Sequence, residues 1–163
     1  MRRYRMQGHK KQFCTFYISN RLFGVNILYV REIIDEIRLT PIYHAPDSIL
    51  GFINIRGQVH LILDLRLILN FEKKAIDETS RVLLFNSSVG ESFGVLVDQI
   101  GHMVEVDEKQ IEYRITEETP IVKNYRTAMS VLETGVCKLQ NSLMTILNAE
   151  LFLNTVNCEI EIM

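Results

Sequence analysis

Short apolar runs separated by turn residues dominate the pattern along the chain. The run from Phe13 to Ile18 is rich in aromatic and β-branched residues, and Ser19-Asn20-Arg21 follows as a turn. A second run, Leu22 to Leu28, predicts a partner strand. Tyr29 to Asp35 has apolar residues at spacings of three and four, which predicts a short helix. Two prolines in the next stretch predict an irregular loop.

The stretch from Gly51 to Leu65 predicts a β-hairpin followed by a helix. Two apolar runs flank Arg56-Gly57, and glycine suits the tight turn between them. Asp64 then precedes a short apolar stretch and can cap a helix, because its carboxylate accepts bonds from free N–H groups. The polar residues 72–80 predict an internal boundary.

A repeat of this scheme follows the boundary. Phe93-Gly94-Val95 matches Phe23-Gly24-Val25, and the segment 145–153 matches the segment 61–69. The two matches occur in the same order, at separations of 70 and 84 residues. In both copies an apolar run ends at a capping residue, Asp64 or Asn148. The pattern predicts two related β lobes.

The apolar runs also predict the core. We expect ten of their residues to be buried: Phe52, Ile53, Leu63, Leu65, Leu83, Phe85, Val95, Val97, Ile146 and Leu147.

Charge argues against a nucleic-acid partner. Residues 1–12 carry five basic residues and no acid, which leaves 13 basic and 20 acidic residues in the rest of the chain. Phosphates favour basic surfaces, so such an acidic body is a poor match for nucleic acid. A small-barrel nucleic-acid-binding protein remains an alternative, since Phe13, Phe16 and Tyr17 could stack on bases. We expect these aromatic residues to enter the core instead.

No motif for catalysis, a metal or a cofactor is present in the sequence. The histidines are scattered, and phosphate-binding loops and nucleophile elbows are missing. No apolar run approaches the ~20 residues of a spanning helix. Cys14, Cys137 and Cys158 are odd in number and suit free thiols in a reducing cytoplasm. We therefore expect a cytoplasmic protein that is not an enzyme and holds neither a metal nor a cofactor.

Several segments, taken in order, resemble the CheW family, whose members couple bacterial chemoreceptors to the histidine kinase CheA. The most specific is an Asn-hydrophobic-Arg-Gly hairpin followed by a strand ending in Asp-Leu. The segments are Val30-Arg31-Glu32-Ile33, the stretch from Gly51 to Gly57, Leu61-Ile62-Leu63-Asp64-Leu65, Phe93 to Asp98, and Gly135 to Leu153. The resemblance spans residues 12–156.

The resemblance implies a mainly β fold with two small five-stranded β-barrel subdomains. They share a hydrophobic core, and short helices include one near the C-terminus. Residues 12–156 would form this domain, with its internal boundary near 72–80, between a flexible basic tail at 1–11 and a C-terminal tail at 157–163.

The resemblance also implies two partners and a place of action. One barrel end would dock on the regulatory domain of CheA, and a groove between the lobes would take the cytoplasmic tip of a receptor. The protein would be cytoplasmic and recruited to receptor arrays, so its contact with the membrane would be indirect. An adaptor of a parallel pathway, such as surface motility, is the alternative within the family.

Carried over residue by residue, the resemblance gives six candidate binding residues. They are Val30, Glu32, Ile33, Asn54, Arg56 and Gly57. We expect Glu32 and Arg56 to approach one another and to fix the hairpin beside the groove. The simpler interpretation is that Arg56 is a solvated residue at the hairpin tip.

Overall fold

The computed structural model describes residues 9–114 and 128–156 of the chain. The described strands are β1 Lys10–Ile18, β2 Arg21–Asn26, β3 Val30–Ile34, β4 Ile49–Ile55, β5 Gln58–Asp64, β6 Arg81–Phe85, β7 Phe93–Val97, β8 Gln99–Ile100, β9 Val104–Asp107, β10 Ile111–Tyr113, β11 Glu133–Lys138 and β12 Leu143–Leu147. The α-helices are short: α1 Leu65–Ile68, α2 Ala128–Leu132 and α3 at 152–156. Three 3-10 turns lie at Ile27–Tyr29, Glu108–Gln110 and Ala149–Leu151.

The strands form two sheets, which confirms the mainly β prediction. The first sheet has the order β10-β11-β12-β2-β1-β8, and β9 also pairs with β1. The second sheet has the order β3-β6-β7-β5-β4. Each sheet contains one parallel pair, β12 with β2 and β5 with β7. The second sheet thus has the five strands expected, and closure of either sheet into a barrel remains a prediction.

The first sheet has seven strands rather than five, because β1 is long enough to pair with two short strands on one side. Lys10 to Phe13 pair with β9, whereas Phe16 and Tyr17 pair with β8. Lys10 lies opposite Asp107, a cross-strand pair of opposite charge. Lys10 and Lys11 therefore belong to a strand and not to the expected tail.

Three apolar clusters fill the structure. A central cluster is shared by both sheets and includes Phe16 and Phe23 of the first and Leu63 and Phe93 of the second. Each sheet also has a cluster of its own on its other face. In β6, Leu83 and Phe85 join the central cluster, while Val82 and Leu84 join the cluster of the second sheet. Strands buried on both faces explain the unbroken apolar runs in the sequence.

Strands of the first repeat pair with strands of the second repeat, once in each sheet. In the second sheet Ile62 of β5 lies opposite Gly94 of β7, and in the first Ile146 of β12 lies opposite Gly24 of β2. The matched residues of the repeat therefore occupy matched places. Each of these parallel pairs joins one strand from before residues 72–80 with one from after them.

Both predicted caps are confirmed. The Asp64 side chain accepts a bond from the Arg66 N–H over 3.1 Å, and the Asn148 side chain accepts one from the Glu150 N–H over 3.1 Å. The turn before β2 contains only Ser19 and Asn20, both at positive φ, and Arg21 already pairs in β2. The second predicted run ends as a strand at Asn26, whose side chain caps the following 3-10 turn.

The helix predicted over Tyr29 to Asp35 is wrong, because Val30–Ile34 forms β3. A β-bulge between Val30 and Glu32 places Arg31 outside the regular register. The extra residue brings Val30 and Ile33 to the same face at a spacing of three. This spacing imitates the periodicity of a helix.

Nine of the ten predicted core residues are buried, and Phe52 is the exception at 38% exposure. Phe52 lies in β4 at the edge of the second sheet, on the face opposite to that of Ile53. Its partner Leu61 in β5 packs against the central cluster, but at the sheet edge that cluster leaves Phe52 partly exposed. Phe13 and Phe16 are buried as predicted, whereas Tyr17 is half-buried.

Candidate functional site

The β4–β5 hairpin carries three of the six candidate residues at a two-residue turn. Ile55 pairs with Gln58, so Arg56 and Gly57 form the turn, with φ values of 50° and 82°. Positive φ at both central positions is typical of the type I′ turn that joins twisted strands. The Asn54 side chain accepts a bond from the Gly57 N–H over 2.9 Å and fixes the turn from one side.

The predicted approach of Glu32 and Arg56 is confirmed. Arg56 donates from Nη2 to Glu32 Oε2 over 2.7 Å and from Nη1 to Glu32 Oε1 over 3.2 Å. The bidentate geometry fixes orientation as well as distance. The pair lowers the pKa of Glu32 and raises that of Arg56, chiefly through these hydrogen bonds. Both groups are therefore charged at neutral pH.

The Glu32–Arg56 bridge connects opposite edges of the second sheet. β3 and β4 are the two ends of its strand order, and the Arg56 and Glu32 side chains join the turn at the end of β4 to β3. A second contact joins the same elements, because Arg31 donates from Nη1 to Gln58 Oε1 over 3.0 Å. Gln58 in turn donates from Nε2 to Ser92 Oγ over 3.0 Å. The hairpin tip is thus held from β3 and from the residue before β7.

Val30 and Ile33 do not join this cluster. Their partners in β6, Phe85 and Leu83, belong to the central cluster, so the two side chains lie on the opposite face from Glu32. Val30 is half-buried against the central cluster, and Ile33 is 43% exposed. The six candidates therefore divide into a polar group at the hairpin and two apolar residues on the other face of β3.

Four residues at or beside the hairpin were not predicted from the sequence: Arg31, Gln58, Ser92 and His60. His60 of β5 is 1% exposed, and it lies near enough to Arg31, Glu32 and Arg56 for their charges to affect its pKa. Burial is the main cause of a lowered pKa at His60. A buried histidine in an otherwise apolar run was the available signal for this residue.

A cleft of about 220 Å³ lies on the first sheet. Its polar lining includes Lys11, which donates to the Tyr113 hydroxyl over 3.1 Å, and Tyr29, which donates to Glu150 over 2.8 Å. All its lining residues belong to the first sheet or to the turns beside it. The cleft therefore differs from the expected groove between the lobes, which remains a prediction.

The described ranges 9–114 and 128–156 contain no group of three or more His, Cys, Asp or Glu side chains placed to hold a metal ion. Within the same ranges, no helix is long and apolar enough to cross a membrane. Cys14 and Cys137 are buried free thiols, and burial raises the pKa of both. Cys158 lies outside the described residues, as do residues 1–8 and the predicted tail at 157–163.

Known proteins resemble the chain over most of its length. A chemotaxis protein CheW of Rhizobium meliloti (strain 1021) is 34% identical over 103 residues, which are 63% of this chain and 65% of that protein. The chain thus matches just under two thirds of that relative's length. A chemotaxis protein CheW of Helicobacter pylori (strain ATCC 700392 / 26695) is 29% identical over 141 residues, 85% of this chain and 79% of that protein.

A solved structure and a family profile agree with these relatives. The crystal structure of the scaffolding protein TtCheW from Thermoanaerobacter tengcongensis matches with a TM-score of 0.72 at 25% identity, over 86% of this chain and 90% of that one. The CheW-like domain profile matches residues 12–157, which include the hairpin and all of both sheets except the first two residues of β1. The chain belongs to the CheW-like domain family.

Proposed function

We propose that this protein is a non-enzymatic scaffold of bacterial chemotaxis signalling that couples receptor tips to the histidine kinase CheA. The match of the CheW-like domain to residues 12–157 carries the proposal. The relatives are chemotaxis proteins, and the solved structure is that of a scaffolding protein. Such a scaffold works by holding partners in a fixed geometry, which requires rigid, exposed contact surfaces.

We assign partner binding to the β4–β5 hairpin together with the Glu32–Arg56 pair that holds its tip, here called the braced hairpin. Arg56 is exposed, yet two bonds to Glu32 and the fixed turn give its guanidinium one orientation. A preorganised group loses less conformational freedom when it binds a partner. On the same hairpin Phe52 and Val59 are 38% and 52% exposed and supply apolar area beside the charged tip. Charged tip and apolar side together resemble the edge of a protein–protein interface.

The partners follow from the family. The hairpin end of the second sheet binds the regulatory domain of CheA, and a receptor tip binds in the groove between the lobes, on the side of β3 that carries Val30 and Ile33. Helical segments bind to apolar surfaces with a few orienting polar groups. Recruitment to receptor arrays at the cytoplasmic face of the membrane then proceeds through these partners.

Calorimetric titration with the regulatory domain of the cognate CheA tests the proposal. We expect saturable one-to-one binding, weakened at least about tenfold in Arg56→Glu, because the reversed charge faces Glu32 and presents the wrong sign to the partner. The double variant Glu32→Arg with Arg56→Glu restores the bridge and should recover part of the affinity.

Arg38→Glu is the matched control, since Arg38 is an exposed arginine paired with a glutamate outside the hairpin. It should bind like the unaltered chain. If folded, unaltered protein gives neither heat nor co-elution with CheA, the proposal is wrong. If the Arg38 and Arg56 reversals weaken binding equally, the hairpin has no special role.

A further inference from the structure

His60 lies in β5 of the hairpin, two residues after Gln58, and its side chain is buried. It is only 1% exposed, and its cross-strand partner in β4 is the buried residue Ile53. Its Nδ1 atom has no hydrogen-bond partner among the described residues. Buried polar atoms are nearly always paired, so an unpaired one calls for an explanation.

The charges around His60 come from the elements that position the hairpin. β3 contributes Arg31 and Glu32, and the turn contributes Arg56. β4 contributes the apolar Ile53 opposite His60. One carboxylate therefore faces two guanidinium groups here, so the cluster has a net positive charge even when His60 is neutral. A protonated imidazole would add a third cation to it.

We propose that neutral His60 is a positioning residue of the partner-binding hairpin, and that its protonation loosens the Glu32–Arg56 bridge and weakens partner binding in mildly acidic solution. This inference rests on the proposed function. An imidazolium this near the bridge attracts the Glu32 carboxylate in competition with Arg56 and repels both guanidinium groups. Neutral His60 has neither effect and leaves Arg56 as the main partner of Glu32.

The direction of the pH effect follows from burial. Burial lowers the pKa of His60 from its ordinary value of 6.5, and Arg31 adds to this effect while Glu32 opposes it. The unfolded chain therefore binds the proton more readily than the folded one. The stability that neutral His60 supports is complete above pH 6.5, and it is lost as the pH falls through that value toward the lower pKa of the folded state.

NMR titration of the full chain alone, between pH 8 and pH 5, tests the link to the hairpin without any partner. We expect the His60 ring to titrate below pH 6.5 and the Gly57 amide signal to shift with the same midpoint. Gly57 is a sensitive reporter because its N–H donates to Asn54 in the turn. A Gly57 signal that ignores the titration of His60 would overturn the inference, as would a His60 midpoint at or above 6.5.

Binding to the CheA regulatory domain at pH 7.5 and pH 5.5 tests the consequence for the partner. The unaltered chain should lose about threefold more affinity across this range than His60→Leu does. His102→Leu is the control, since His102 is exposed and lies between β8 and β9; it should behave like the unaltered chain.

Equal losses in all three proteins would assign the pH effect to the kinase domain and overturn the inference. Absence of binding at pH 7.5 would instead overturn the proposed function, and the NMR titration would then decide the role of His60. If His60→Leu does not fold, the same titration of the unaltered chain decides the question.

Discussion

Two copies of one structural unit lie in the two sheets. Residues 61–69 and 145–153 each run from a strand through a capping residue into a helical turn. In both copies the side chain of the capping residue accepts a hydrogen bond from the backbone N–H two residues later. In both, the isoleucine two residues before the cap lies opposite a glycine in a parallel strand. The backbone arrangement therefore depends on the apolar strand, the cap and the glycine, which both copies share.

The copies differ in the charges they bury. In the second sheet the cap Asp64 is buried, and Arg66 forms an ion pair with Asp98 in which the two side chains are 11% and 15% exposed. In the first sheet the corresponding residues are Asn148 and Glu150, and Glu150 accepts a bond from Tyr29 at the surface. The same fold thus tolerates a buried charged network in one copy and an exposed polar contact in the other.

The largest expected difference between the copies is at Arg66. Arg66→Met leaves the Asp98 carboxylate largely buried without its cation, and breaking such a pair costs about 3–5 kcal/mol. The variant also loses the bond from Arg66 Nε to the Glu72 carbonyl oxygen, 2.8 Å in length. Urea unfolding at pH 7 measures the loss.

The matched variant in the other copy is Glu150→Gln. It removes an exposed charge and keeps an acceptor for Tyr29, so the free energy of unfolding should change by less than about 0.5 kcal/mol. Similar losses in both variants would show that the contrast between buried and exposed copies does not govern stability.

The two glycines distinguish the copies by a smaller amount. A Cβ at Gly94 would lie 2.6 Å from the Leu83 carbonyl oxygen, which is backbone and cannot move freely. A Cβ at Gly24 would lie 2.6 Å from Met144 Sδ, in a flexible side chain that can shift. Gly94→Ala should therefore destabilise the chain by about 1–3 kcal/mol, and Gly24→Ala by about 1 kcal/mol or less.

Thermal and urea unfolding of the two alanine variants check this order. A larger loss for Gly24→Ala would mean that Met144 is held as firmly as the backbone.

Local chemistry made much of the fold predictable. The Arg56-Gly57 turn and the caps at Asp64 and Asn148 each depend on residues close together in the chain. The repeat predicted two related lobes because the matched residues pair and cap in the same way in both. The approach of Glu32 to Arg56 joins residues 24 apart, and the family resemblance supplied it.

The features that the sequence did not predict share a physical cause, because each depends on contacts with residues far away in the chain. The bulge in β3 gives Val30 and Ile33 a helical spacing, and its register is visible only against β6. Phe52 is a large apolar residue of the kind expected in a core, but its strand lies at a sheet edge, which leaves the side chain partly exposed. The cluster around His60 joins β3, β5 and the turn, so no local window of sequence contains it.

Exchanging the cap gives the smallest expected effect and makes the copies alike. Asn caps a helix as well as Asp does, so Asp64→Asn retains the acceptor for the Arg66 N–H. Burial raises the pKa of Asp64, with a further contribution from Asp98, while bonds from the Arg66 and Leu67 N–H groups oppose it. The contribution of Asp64 to stability is therefore full below its ordinary pKa of 3.8 and is lost as the pH rises through the folded-state pKa.

It follows that Asp64→Asn should equal the unaltered chain at pH 7 or exceed it in stability by less than about 1 kcal/mol. The gain should shrink as the pH falls toward 4, because Asp64 then becomes protonated and resembles Asn. His60 titrates in both proteins, so its effect cancels in the difference. A variant that is clearly less stable at pH 7 would show that the charge of Asp64 supports Arg66, and that the buried network acts as one unit with its cap.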